Sequence, residues 1–250
     1  MDLGIRGRVA LVMGASKGLG RGVAGALARE GAKVAIASRS RERLDATVEE
    51  LEGEVTAFVA DAGDLEGLGE LVMEVEADLG PIDILVANTG GPPSGTALGN
   101  SIEEWEDAYR SLVLGLRVLV EAVHPGMRER GWGRIVNIGS SSTVEPIPSL
   151  TLSNANRLAA IGFLKTLSRE VAADGITINT IATGKFATDR LAENAGSMEK
   201  AEQAARETVP AARLGTPEEY GDLVAFLASD RAAYVTGTTI SIDGGLLRSV

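Results

Sequence analysis

Short apolar runs alternate along this chain with longer stretches in which apolar positions recur every three or four residues. The runs fall at 8–13, 33–38, 55–59, 82–88, 134–138, 177–181 and 239–242. Each is strand-length, and most are apolar at consecutive positions, the pattern of a strand covered on both faces. Helical periodicity lies between them, near 19–30, 41–52, 65–79, 102–129, 151–173 and 217–228. Such alternation predicts an α/β fold: a doubly wound parallel sheet with helices on both faces, three layers, in a single domain over 1–250. No linker, low-complexity tract or repeat breaks the pattern. The stretch 184–212 follows a strand, has helix-like pieces at 187–194 and 198–207 with breakers at Gly196 and Pro210, and is expected to form a lid.

Chemistry is expected where strands end, because ligands of open parallel sheets bind at the carboxyl edge. The first run leads into Gly14-Ala-Ser16-Lys17-Gly18-Leu19-Gly20, then a helix. Glycines there permit a tight turn and close approach to a pyrophosphate, and the helix start supplies free N–H groups. The spacing is Gly-x3-Gly-x-Gly, and glycine turns also serve structure alone. The second strand ends at Ser38-Arg39, where a site for NAD usually carries Asp or Glu. Arg39, with Lys17 and Arg41 nearby, suits a ribose 2′-phosphate, so NADP(H) is preferred and NAD(H) remains an alternative. A solvated basic helix start is the plainer reading. Asp61 is placed to accept from an adenine amino group or to cap the helix at 64–79. Asn88 and Gly90 either pass the adenosine ribose or tie neighbouring strands together.

The stretch 133–165 reads as a buried strand ending in the hydroxyls Ser140 to Thr143, a loop with Pro146 and Pro148, and a helix presenting Ser153 and Arg157 one turn apart. Composition narrows what this can do. The chain has 250 residues, 44% hydrophobic, with a net charge of −11, which argues against nucleic acid or an anionic membrane as partner. It has no cysteine and one histidine, His124, which argues against a Cys- or His-based metal site. The first residues lack the cleavage pattern of a signal peptide, so a cytoplasmic protein is expected.

Taken together, these pieces resemble the short-chain dehydrogenase/reductases over nearly the whole chain, most nearly the 3-oxoacyl-(acyl carrier protein) reductases. The resemblance rests on Gly14-x3-Gly18-x-Gly20, Asp61, Asn88-Thr89-Gly90, Glu103-Glu104-Trp105, Gly133 to Ser140, Asn179 with Gly184 and Thr188, Arg213 to Glu219, Val235 to Gly237 and Asp243 to Gly245. It implies a Rossmann-type domain, a nicotinamide cofactor and a homotetramer or homodimer, with subunit contacts through 102–129, 151–173 and 217–250. It implies cofactor contacts at Gly14, Ser16, Lys17, Gly18, Leu19, Gly20, Arg39, Asp61, Ala62, Asn88, Gly90 and Arg157. The family's catalytic set is Asn, Ser, Tyr and Lys. Carried over, the serine is Ser140, the tyrosine falls on Ser153, the lysine on Arg157 and the asparagine on Leu112, while the family's Pro-Gly reads Thr183-Gly184.

A serine hydroxyl is a far weaker acid than a phenol, and arginine stays protonated. Three readings follow. One is an oxidoreductase acting on a small carbonyl, alcohol or acyl thioester with a modified proton path. Another is a nucleotide-binding protein without turnover, a sensor or partner subunit. The third is a non-redox reaction on the same scaffold. Tyr109, Tyr220 and Tyr234 are expected at subunit contacts or in the core, and His124 in a structural role. Lys185 and Glu145 border the expected pocket as proton carriers or as solvated surface groups.

Overall fold

A computed structural model describes residues 1–249. The seven strands are β1 Val9–Met13, β2 Lys33–Ser38, β3 Glu54–Val59, β4 Ile82–Ala87, β5 Gly133–Ile138, β6 Ile176–Thr183 and β7 Thr239–Ile242. They form one sheet in the order β3-β2-β1-β4-β5-β6-β7, and every neighbouring pair is parallel. Strand order reverses between β1 and β4, which opens a crevice at their carboxyl ends. The doubly wound, three-layer α/β architecture expected from the alternation is present.

The apolar runs are continuous because both sheet faces are covered. In β1, Ala10 and Val12 pack beneath α1 (Gly18–Arg29) and α9 (Pro217–Leu227). Val9, Leu11 and Met13 point the other way, toward α3 (Leu65–Leu79), α5 (Gly115–Arg130) and α6 (Thr151–Val171). Truncating a fully buried leucine in either layer, such as Leu27 or Leu11, costs about 2–5 kcal/mol. Side-chain caps start α2 (Arg41–Glu50) at Ser40, α3 at Asp64, α4 (Ile102–Tyr109) at Ser101 and α9 at Thr216. At Ser101 and Thr216 these are full capping boxes, closed by Glu104 and Glu219.

The helix expected over 102–129 is not continuous. After α4 the chain widens into a π-helical turn, Arg110–Leu114, before α5 begins. Two contacts with the loop after β3 accompany the extra residue. Arg110 Nε donates to the Gly63 carbonyl at 2.7 Å, and Gly115 lies so close to the Ala62 carbonyl that an added Cβ would sit 2.3 Å from it.

The stretch expected to form a lid contains α7 (Asp189–Ala195) and α8 (Met198–Thr208). These pack a small separate cluster, Ala201, Ala205, Val209 and Leu214, with Leu191 and Met198 against it. Among the described residues, no helix is long and apolar enough to cross a membrane.

Candidate active site

At the end of β5, Gly139 passes β6 so closely that a Cβ would lie 2.7 Å from the Ile181 carbonyl. Ser140 then turns the chain into a short 3₁₀ segment. Its Oγ accepts from the Ser142 N–H at 3.1 Å, and its carbonyl accepts from Thr143 Oγ1 at 2.7 Å. The entry to α6 is held by Ser149, whose φ of 61° is unusual for a residue with a side chain. The Ser149 carbonyl accepts from the Gly95 N–H at 2.7 Å, which lays the loop after β4 against the start of α6.

Helix α6 presents Ser153 and Arg157 one turn apart, as the spacing predicts. Arg157 Nε donates to Ser153 Oγ at 3.2 Å, Nη1 to the Ile138 carbonyl at 2.7 Å, and Nη2 to the Gly90 carbonyl at 2.5 Å. One guanidinium thus ties α6, the end of β5 and the loop after β4. Ser142, one of the hydroxyls expected at the end of this strand, is fully buried and bridges the serines: its Oγ lies 3.5 Å from Ser153 Oγ. Burial lowers the Arg157 pKa to about 10, and the nearby charge of Arg190 lowers it too. Arg157 is therefore cationic at neutral pH. Leu112 lies in the π turn and is 4% exposed, adding no polar atom.

The turn after β1 has the form a dinucleotide needs. Gly14 and Gly18 have φ of 60° and 55°, in the left-handed region, and a Cβ on Gly20 would lie 2.3 Å from the Gly14 carbonyl. Helix α1 begins after Lys17 with no side-chain cap, so its first N–H groups are free for an anion. At the end of β2, Ser38 Oγ is buried without a hydrogen-bond partner, beside the exposed Arg39. A buried, unpaired hydroxyl next to a cation fits a ribose or its 2′-phosphate. Leu19 is half-buried behind the turn, and the Ser16 carbonyl is held by Thr47 Oγ1 at 3.2 Å.

Other expectations resolve individually. Asn88 ties strands: its Nδ2 donates to the Gly14 carbonyl at 3.3 Å. Asp61 does not cap α3, because Asp64 does; Asp61 Oδ1 instead accepts from the Gly63 N–H at 2.9 Å. Ala62 turns its carbonyl toward Gly115. Gly90 has φ of 79° with open space around it. Lys17 pairs with Asp189 at 3.2 Å and Glu193 at 3.9 Å on α7, and Arg41 with Asp45 at 2.8 Å. Lys185 donates to Thr208 of α8 at 2.8 Å. Glu145 accepts from the N–H groups of Arg248 and Ser249, both at 2.8 Å, and these bonds hold its carboxyl below the usual range. It anchors the C-terminal tail. Tyr109 and Tyr234 are exposed. Half-buried His124 has its Nε2 without a partner. Tyr220 is fully buried in the core, and its hydroxyl lies 2.9 Å from Thr183 Oγ1; burial raises its pKa. Among the described residues, no group of three or more His, Cys, Asp or Glu is placed to hold a metal.

This sheet order, glycine turn and strand-end serine define a class, and sequence comparison agrees. A family model described as enoyl-(acyl carrier protein) reductase matches residues 14–247. The chain belongs to the short-chain dehydrogenase/reductase family. It is 38% identical over 243 residues to nodulation protein G of Azospirillum brasilense, covering 96% of this chain and 98% of that one. It is 36% identical over 245 residues to the 3-oxoacyl-[acyl-carrier-protein] reductase FabG of Haemophilus influenzae, covering 98% and 100%. Among solved structures, L-sorbose reductase from Gluconobacter frateurii, complexed with NADPH and L-sorbose, superimposes with a TM-score of 0.95. That match has 32% identity and covers all of both chains.

Proposed function

We propose that this protein is an NADP(H)-dependent oxidoreductase that acts on a carbonyl or alcohol through a proton path unlike that of its family. The observation that carries the reading is the pairing of an uncapped glycine turn at α1 with a hydroxyl and guanidinium cluster at the end of β5. Bound there, a nicotinamide cofactor supplies hydride-transfer chemistry. Gly14, Gly18 and Gly20 let the backbone near a pyrophosphate, flanked by Ser16, Lys17 and Leu19. Arg39 and Ser38 receive the 2′-phosphate, with NAD(H) as the alternative. Asp61, Ala62, Asn88 and Gly90 border the adenosine. Arg157 holds the nicotinamide ribose and supplies positive charge, while Ser140 and Ser153 orient the substrate oxygen. Neither serine is acidic enough to give up a proton readily, so the pair orients the substrate oxygen and hydride transfer is slow. Acyl thioesters fall within the substrate range.

A second reading, nucleotide binding without turnover, is favoured by the apolar Leu112 and by the missing phenol at Ser153. NADPH fluorescence titration, followed by NADPH oxidation with a panel of ketones and acetoacetyl thioesters, separates the two. Binding with oxidation supports the first reading, binding alone supports the second, and no binding removes both. The proposal includes assembly into a homotetramer or homodimer. Its support is the exposure of Leu158 on α6, of Phe226 on α9 and of Tyr234 beyond it.

A further inference from the structure

The loop after β4 offers three consecutive carbonyls, and two arginines from different elements take them. Arg157 donates to Gly90. Arg190, on α7, donates to Gly91 at 3.0 Å and Pro92 at 2.9 Å. Its guanidinium rests on the backbone, since a Cβ on Gly91 would lie 2.7 Å from Arg190 Cζ. Several arginines of this acidic chain find carboxylates, as Arg21 does with Glu50 and Arg213 with Glu219, whereas Arg110 and Arg231 donate to backbone carbonyls. Arg157 and Arg190 have no carboxylate within 4.0 Å among the described residues; their partners are neutral oxygens. The acids flanking Arg190 on α7 do not serve it, because Asp189 and Glu193 face Lys17. Two guanidiniums on consecutive carbonyls of one loop, Arg157 also bonded to Ser153, form a positive site with no carboxylate counter-ion among the described residues, and the charge of Arg190 is felt at Arg157. Arg157 is half-buried, and a charge partly withdrawn from water gains from an anionic partner; Arg190 beside it is exposed and open to one.

Each guanidinium also keeps N–H groups in reserve. It carries five, and Arg190 spends two on the loop. A planar, forked cation with free donors matches a carboxylate or phosphate. From this geometry we infer that Arg190, reinforced by the charge of Arg157, selects substrates bearing an anionic oxygen group beside the reacting carbonyl. The inference rests on the carbonyl chemistry proposed above for Ser153, and it adds the substrate class.

The test is calorimetry on the full chain, with and without NADPH, using acetoacetate against its methyl ester and dihydroxyacetone phosphate against dihydroxyacetone. The anionic member of at least one pair is expected to bind about tenfold more tightly than its neutral analogue, the pair itself telling carboxylate from phosphate. That preference should shrink as salt rises. Arg190→Gln is expected to abolish it while leaving neutral ligands unchanged, and Arg190→Lys to keep part of it. Equal binding of both members of both pairs, or no binding by any, overturns the inference. So does an equal loss for acid and ester in Arg190→Gln, which would mean that the arginine only staples the loop. If Arg190→Gln does not fold, the lysine variant and the salt dependence of the wild type decide. Failure of NADPH to bind would remove the proposed oxidoreductase function, while the cofactor-free titrations still report on anion selection.

Discussion

Arg157 spends Nε, Nη1 and Nη2 on Ser153, Ile138 and Gly90. A lysine ammonium is a compact charge on a flexible stem and lacks this fixed fork. The arginine turns the position into a strut, and with Ser153 beside it the pair can orient an oxygen but offers no good acid. Restoring the acid is the direct test. Ser153→Tyr with Arg157→Lys is expected to create or raise NADPH-dependent ketone reduction, by up to about 10²- to 10⁴-fold in kcat/KM. No gain would locate a further block at Leu112 or in 184–212. The Ile138 and Gly90 carbonyls lose their donor in this variant, so its stability is expected to fall by about 1–3 kcal/mol, measured by urea denaturation. Ser140, Ser153 and Arg157 were legible because a buried strand, its hydroxyl terminus and a helical spacing occupy one continuous stretch. Arg190 was not, nor was the contact that Ser142 makes. Arg190 gains its meaning only when α7 folds onto the loop after β4, and Ser142 only when its hydroxyl meets Ser153.

At the scale of the element, caps were the most legible feature and the π turn the least. Thr216-Pro217-Glu218-Glu219 spells a capping box, and the box forms. The apolar spacing of 102–129 runs on through Arg110–Leu114, so periodicity alone reads one helix. The widening goes with contacts to Ala62 and Gly63, which no local pattern encodes. Glu219 couples its cap to acid stability. Hydrogen bonds from Arg213 foremost, and then from the Thr216 N–H, lower its pKa from 4.5 to about 2. A depressed carboxyl contributes stability that is full above the unfolded value and lost as pH falls through the folded one. That contribution is therefore present at neutral pH and disappears between 4.5 and about 2. Both partners are largely exposed, at 58% and 43% of their side chains, so Glu219→Gln is expected to cost about 1 kcal/mol or less at neutral pH. Its stability profile should also be flatter than the wild type's across the acid window, as read by denaturant titrations at several pH values.

For the molecule as a whole, strict alternation made the parallel sheet and its carboxyl-edge crevice readable in the sequence. The opposite edge was not readable. There Trp132 lies between the guanidiniums of Arg8 and Arg134, at 3.9 and 4.3 Å from its ring centre. Arg134 is nearly fully buried in β5, and its bonds to the Ser229 and Gly175 carbonyls join segments far apart in sequence. Periodicity does not report such pairings. The folded chain also leaves β7 as a sheet edge, bonded only to β6 and only partly covered. Exposed parallel edges invite pairing or cover, and Phe226 and Tyr234 stand exposed on the segments flanking this strand. A net charge of −11 opposes indiscriminate association, so a defined apolar contact is the expected cover. Sedimentation equilibrium is expected to give the mass of a homotetramer or homodimer. Phe226→Asp with Tyr234→Asp should lower that mass while leaving the far-UV circular dichroism unchanged. A monomeric wild type would refute the assembly, and a double variant of unchanged mass would move the contact to Leu158 and the helices of the other layer.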